Sequence, residues 1–330
     1  MRIRSVCRVV LVGAICSIAL LTGLRGATAQ PGGEAQADTT ADPVTVADLN
    51  LLHGLFCTPD LTDWCHAPAR VEILGKWLEK SNCPDIVGLQ EINARLEDLI
   101  GELVTTVCGG EYEIFSKPSN SPDRQMVLTR LEVIDDGYVD IANFPWEAVW
   151  VRVESPQGTV DLITAHFASS SNNPPCTAAI CPPVCAAGIE TNQCHAAEIV
   201  DFFDSRPDAA DLSILAGDLN AQPTEQTLTT LNNAGFVDTW VEAGRPECDP
   251  ETGKGCTGCS ELDRELIGMD TKSGLDCGAR IDFILVRGSD CTPSATAAGF
   301  AHKPVKKAID ELFWPSDHRG VQAAITCAAE

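Results

Sequence analysis

Basic side chains are scarce in this chain: 23 lysines and arginines stand against 47 aspartates and glutamates over 330 residues, a formal balance of −24. That deficit argues against the broad cationic surface of a protein that coats a polyanion loosely. A local basic rim can still override a global field, and Arg124, Arg130, Arg280, Arg319 and the lysines at 303, 306 and 307 are its candidates. Long apolar runs are equally scarce. Beyond Leu24 no segment is apolar enough to span a bilayer. There is no Walker-type glycine-rich loop. No nucleophile elbow surrounds Ser316, although His318 lies two residues away, so serine and cysteine nucleophile schemes lack support. No internal repeat is visible.

What the chain does have is cysteine, 16 in all. The N-terminus explains the surplus. Arg2, Arg4 and Arg8 open a basic start, Val9 to Leu24 is mostly apolar, and Ala27-Thr28-Ala29 is a small-residue cleavage pattern. Residues 1–29 therefore read as a secretory signal peptide, and the mature protein as secreted. Cleavage removes four arginines and no acids, which leaves 19 basic against 47 acidic side chains, a balance of −28. It also removes Cys7 and Cys16. The even remainder in an exported chain reads as a disulfide framework. Two clusters stand out, Cys176/Cys181/Cys185/Cys194 and Cys248/Cys256/Cys259/Cys277. Cys256-Thr257-Gly258-Cys259 has zinc-ribbon spacing, but no second pair accompanies it, and stapled loops are the better reading.

Residues 30–43 are small, polar and acidic and read as a disordered leader; 44–330 mixes strands and helices without a break, as one domain. Strand patterns cover 44–52, 85–90, 111–116, 125–134, 147–153, 159–166, 212–216, 280–286 and 320–326. Helical spacing covers 69–80, 94–107, 190–203 and 225–234. Residues 168–189 and 243–278 fit neither period and look like disulfide-stapled insertions. Strands outnumber helices and many neighbours lack helical crossovers. This favours a mixed-sheet α+β sandwich over a doubly wound parallel sheet.

Several strand-like runs begin or end in an acid, amide or imidazole. They are Asp48-Leu49-Asn50, Gln90-Glu91, Thr164-Ala165-His166, Gly217-Asp218-Leu219-Asn220, Arg280-Ile281-Asp282 and Ser316-Asp317-His318. Rigid backbone at strand ends can present such groups to one cleft, and the set has the composition of a hard-cation, phosphate-hydrolysing site. Glu91 is placed as an oxygen ligand, and Asn50 bonds or coordinates beside it. Asp218 and Asn220, two apart, project to the same side if the segment is extended. A carboxylate near His318 would raise its pKa and keep it cationic. His53 falls just past the first strand, near the same place. His66, His195 and His302 have no recognisable partner and read as surface residues.

The six motifs, in this order, resemble the endonuclease/exonuclease/phosphatase superfamily over roughly residues 44–328. The resemblance implies a four-layer sandwich of two mixed β-sheets flanked by helices, like deoxyribonuclease I, and a monomeric enzyme. It implies Mg²⁺, Mn²⁺ or Ca²⁺ on Asn50, Glu91 and Asp317, with Asp218 orienting the attacking water and Asn220 stabilising the transition state. Asp282 would partner His318, and His166 would contact the phosphate. The function implied is a divalent-metal-dependent phosphodiesterase, a nuclease in the first reading and a sphingomyelinase-like or small-phosphoester hydrolase in the second. A non-catalytic binding protein on the same scaffold is the weakest reading, because every catalytic position holds a competent residue. No obligate protein partner is evident. A lipid enzyme needs an exposed apolar loop, for which Phe313-Trp314-Pro315 and Phe144-Pro145-Trp146 are candidates.

Overall fold

Alternation decides the architecture. In β1 (Val44–Asn50) every second side chain, Val44, Val46, Asp48 and Asn50, lies on one face, and Ala47 and Leu49 lie on the other. All are buried, so both faces of the strand are covered. The same holds for β2 (Ile86–Gln90) and β8 (Leu212–Asp218). In the computed structural model such strands form the centres of two six-stranded sheets. The structure describes residues 41–53, 62–117, 123–142, 147–169, 173–177, 179, 181–185, 188–259, 276–289, 291–305 and 314–329. The signal and most of the leader read from the sequence lie outside them, as do Phe144-Pro145-Trp146 and Phe313.

The first sheet runs β13-β14-β1-β2-β4-β3, with β3 Glu113–Ser116, β4 Met126–Thr129, β13 Cys291–Phe300 and β14 Gly320–Ala329. The second runs β5-β6-β7-β8-β12-β9, with β5 Val133–Asp140, β6 Glu147–Ser155, β7 Gly158–His166, β9 Val237–Asp238 and β12 Asp282–Gly288. Among the described residues only β1–β2 and β7–β8 pair in parallel, so both sheets are mixed.

Three apolar layers hold the sandwich. Val44, Val46, Ile86, Leu162, Ile214, Ile284 and Ile325 fill the space between the sheets. Ala47, Leu49, Val87 and Leu89 face outward onto α1 (Thr62–Lys80) and α2 (Ala94–Leu103) through Leu74, Trp77 and Leu96. Ile163, Leu215 and Phe283 face outward onto α3 (Thr191–Ser205) and α4 (Gln226–Asn233) through Ile199, Phe203 and Leu228. The order helix, sheet, sheet, helix is the expected four-layer α+β sandwich. Among the described residues no helix is long and apolar enough to cross a membrane.

The cysteine clusters are disulfides. Cys176–Cys181 and Cys185–Cys194 staple the first insertion, Cys248–Cys256 and Cys259–Cys277 the second, and Cys83–Cys108 ties the end of α1 to the turn after α2. Cys256 and Cys259 thus belong to separate bridges and form no zinc pair. The second insertion is not structureless: after α5 (Thr239–Glu242), β10 (Gly258–Cys259) and β11 (Cys277–Ala279) pair within it. The single strand expected over 125–134 is two. β4 and β5 belong to different sheets, with the chain crossing between them near Arg130-Leu131.

Candidate active site

At one end of the sandwich the inter-sheet face turns polar on five neighbouring strands. Val44 and Val46 give way to Asp48 and Asn50, Ile86 to Gly88 and Gln90, and Leu162 to Thr164 and His166. Ile214 and Ala216 give way to Asp218, and Ile284 on the antiparallel β12 is preceded by Asp282. Register aligns these ends. His166 is the strand partner of Asp218, Asp218 of Asp282, and Asn50 of Gln90. Pairing therefore converges side chains that are distant in sequence. The approach of β7 to β8 needs Gly217, whose φ is 151°; a Cβ there would lie 1.9 Å from the carbonyl oxygen of Ala165.

Asp218 is the hub. Its Oδ1 accepts the backbone N–H of Asn220 at 2.9 Å. Its Oδ2 accepts Asn50 Nδ2 at 3.1 Å and faces His166 Nε2 at 3.5 Å and His318 Nε2 at 3.8 Å. His318 Nδ1 lies 3.0 Å from Asp282 Oδ2. Ligand atoms of Asp218, Asp282 and His318 all fall within 4.8 Å of one another. Asn50 Nδ2 also donates to Glu91 Oε1 at 2.9 Å, and His53 N donates to Glu91 Oε2 at 2.9 Å. Asn50 Oδ1 accepts from Leu52 N, so the amide turns its donors to the two carboxylates. His53 is indeed at the site, with Nε2 3.5 Å from Glu91.

Three of these residues hold left-handed backbone, Leu52 at φ 56°, Glu91 at φ 60° and Asn220 at φ 45°. Non-glycine residues seldom sit there, and such strain gathers at functional sites. It also corrects one expectation. Asn220 is not in an extended segment beside Asp218 but in a turn beyond β8, where its Nδ2 donates to Phe167 O at 3.0 Å.

Charge is divided sharply. Burial pushes both imidazoles down, but the surrounding carboxylates win. Asp123, then Asp218 and Glu91, hold His166 up at about 10. Asp282 and Asp218 hold His318 well above its ordinary value. Both rings are therefore cationic at neutral pH. Asp218 itself is raised by burial and by the facing Asp282. Asp317, half-buried, accepts from Ser316 Oγ at 3.2 Å.

Two site residues escaped the sequence. Asp123 Oδ1 lies 3.1 Å from His166 Nδ1, which gives that ring an acid partner as Asp282 does for His318. Arg70, fully buried in α1, donates to the carbonyls of Leu51 and Pro315, and its charge faces Asp317 and Glu91. Burial lowers its pKa to about 10. It joins the loop after Asn50 to the loop before His318. A signal existed for Asp123, an acid just ahead of the buried run Met126-Val127-Leu128.

Other expectations are not met. Arg124 is buried on Glu97 at 2.8 Å, and Arg130 pairs with Asp85 at 3.1 Å and Glu111 at 3.2 Å. Arg280 pairs with Asp238 at 2.7 Å and Glu247 at 2.8 Å, and Arg319 donates to Gly253 O. Acids or carbonyls occupy all four of these arginines, so they form no open basic rim. Trp314 and Pro315 are buried rather than displayed for membrane docking. His195 is fully buried, and His66 and His302 are half-buried, so none is a plain surface residue.

Two acid–imidazole pairs, Asp123–His166 and Asp282–His318, thus gather around the Asp218 carboxylate at one end of the two-sheet sandwich. The model of the endonuclease/exonuclease/phosphatase family matches residues 50–318, from Asn50 to His318, and the chain belongs to that family. No curated protein matches the chain. Among solved structures, TDP2 of D. rerio complexed with single-strand DNA product is similar at TM-score 0.58 and 17% identity, covering 86% of this chain and 98% of that one. The mannosyl-6-phosphatase of Bacteroides thetaiotaomicron is similar at 0.58 and 14%, covering 86% and 99%. An endonuclease/exonuclease/phosphatase family protein of the same organism is similar at 0.61 and 14%, covering 87% and 98%.

Proposed function

We propose that the protein is an exported, divalent-metal-dependent phosphodiesterase that hydrolyses a phosphoester by direct attack of water, acting on nucleic acid in the first reading. The observation that carries the chemistry is the surround of Asp218 Oδ2 by the Asn50 amide and two imidazole rings. The disulfides support export, since such bridges persist in oxidising compartments.

The donor set fits a hard cation: Glu91 offers carboxylate oxygen at the cleft, and Asp317, like Glu91, lies near enough to Arg70 for its charge to act on that guanidinium. In this reading Glu91 and Asp317 hold Mg²⁺, Mn²⁺ or Ca²⁺, and Asn50 orients Glu91 through its amide nitrogen. The ion, when bound, neutralises charge developing on the phosphoryl group. Asp218 orients the attacking water and takes up its proton, its Oδ1 fixed by the Asn220 N–H. His318 and His166, each charged and braced by an acid, hold non-bridging oxygens where charge grows. Either ring can also supply a proton to the leaving oxygen. Asn220 completes the phosphate cradle from its turn.

One observation favours a second reading, a small phosphoester. The arginines that would track a polyanion are engaged with acids and carbonyls, and phosphate contacts by free basic side chains dominate nucleic-acid affinity. The deciding experiment is a panel of plasmid DNA, RNA, sphingomyelin and bis-p-nitrophenyl phosphate, with and without EDTA. Plasmid nicking abolished by chelation and by Asp218→Ala is expected for the nuclease. Turnover of the small ester with plasmid intact selects the second reading. No turnover on any substrate with added cations overturns both.

A further inference from the structure

The Asp282–His318 pair is built from two sheets. Asp282 opens β12 in the second sheet, and His318 precedes β14 in the first. A 3.0 Å contact between groups on separate sheets needs something to fix one sheet end against the other. The stapled insertion supplies it through Thr257.

Thr257 is buried, and its atoms reach both halves of the pair. Its Oγ1 accepts the backbone N–H of Ile281 at 3.0 Å and that of Asp282 at 3.1 Å. Its carbonyl accepts the backbone N–H of Arg319 at 2.9 Å, and its own N–H donates to Ala279 O at 2.8 Å. The next residue, Gly258, forms a bridge with His318 itself, and a Cβ there would strike the Ile281 side chain. Both chain neighbourhoods of the pair therefore hang on one residue. That residue is in turn held by bridges at Cys256 and Cys259, to Cys248 and Cys277. The hydroxyl oxygen, with two acceptor lone pairs, takes both consecutive backbone N–H groups without adding charge beside Asp282.

We propose that Thr257 is a positioning residue of the hydrolytic reaction. It clamps Asp282 and His318 into register, and the two disulfides of the insertion hold the clamp. The inference rests on the phosphoesterase reading. It adds a role to a segment outside the strand-end motifs, and it makes full activity dependent on oxidation of the insertion.

The test compares Thr257→Val, which keeps the shape and removes the acceptor, with Thr257→Ser, which keeps it. Expected for Thr257→Val is a fall in kcat of about 10- to 100-fold with KM and metal affinity held, since a displaced catalytic group costs on that scale. Thr257→Ser is expected to restore kcat to within about threefold of wild type. The low-field proton signal of the His318 Nδ1–H, assigned by its loss in His318→Gln, should persist in wild type and Thr257→Ser and broaden or vanish in Thr257→Val. Should Thr257→Val not fold, Cys248→Ser/Cys256→Ser leaves the hydroxyl and frees one staple; kcat should fall in the same sense with KM held. Unchanged kcat and an unchanged signal in Thr257→Val overturn the clamp, as does a fall that Thr257→Ser fails to rescue. If wild type turns over no phosphoester, the function fails separately, and the Nδ1–H signal still decides the clamp.

Discussion

The Nδ1 of His166 lies 3.1 Å from Asp123 Oδ1, across 43 residues of chain. Burial would raise the Asp123 carboxyl, but the His166 imidazolium outweighs it and holds Asp123 below its usual range. The partners thus keep each other charged in a site that already holds Asp218 and Glu91. Asp123→Asn removes the largest force raising His166 and lets its pKa drop from about 10. The ring would then lose its proton at lower pH. Activity is expected to fall about 10- to 100-fold at neutral pH. The alkaline limb of kcat/KM should move to lower pH, because the protonated fraction shrinks earlier as pH rises. A limb that stays where wild type has it shows that Asp123 does not sustain the charge.

Glu91→Gln tests where the cation sits. Gln tolerates the left-handed backbone no worse than Glu and can still accept from His53 N, so the backbone there should survive. What disappears is the negative charge and the second acceptor oxygen, which takes the Asn50 Nδ2 hydrogen bond. Affinity for Mg²⁺ or Mn²⁺, read by calorimetry and by the cation dependence of kcat, is expected to weaken about 10- to 100-fold or more. An unaltered binding isotherm would place the ion elsewhere.

Much of this was legible because strands encode their faces by alternation. Leu212 to Asp218 and Val44 to Asn50 announce both burial and the point where polarity begins, and that point is the site. Strand β13 was not legible. Its sequence, Cys291 to Phe300, is alanine, threonine, serine and glycine around Pro293, and only its ten-residue pairing with β14 makes it a strand. Asp123 was missed because its partner comes from tertiary structure, as was Thr257, whose acceptor role depends on where an aperiodic insertion folds back. His195 was misread although its spacing held a clue: Ile199 and Phe203, four and eight residues on, are core residues on the same helical face.

Gly217→Ala tests the close approach beneath the site. The new methyl would meet the Ala165 carbonyl at 1.9 Å, a backbone atom that cannot swing away, and φ 151° is itself unfavourable to alanine. Strain and displacement together are expected to cost more than about 2 kcal/mol in urea unfolding. The damage should also reach catalysis, because His166 and Asp218 follow those two residues directly. A variant with wild-type stability would mean that β7 and β8 separate more easily than the register implies.

His195 gives a prediction in the acid range. Its Nε2 donates to Ala142 O at 2.7 Å and its Nδ1 accepts from Ala168 N at 3.3 Å, so the ring is neutral. Burial depresses its pKa from 6.5 to about 4. A depressed value means that the unfolded chain takes up the proton first. The contribution is whole above pH 6.5 and is lost as pH falls through about 4, about 3 kcal/mol in all. Glu198, one turn on, accepts from Ala142 N at 2.8 Å and is raised by burial to about 7. Its linkage has the opposite sign, favouring the fold below the ordinary glutamate range and weakening as pH rises through about 7. The two trends overlap, so the total stability curve alone cannot separate them, but a difference can. The stability gap between wild type and His195→Gln, measured by urea unfolding, should narrow by about 3 kcal/mol between pH 6.5 and 4, because Glu198 is common to both. A gap that stays constant across that window would mean that the buried imidazole titrates as it does in the unfolded chain.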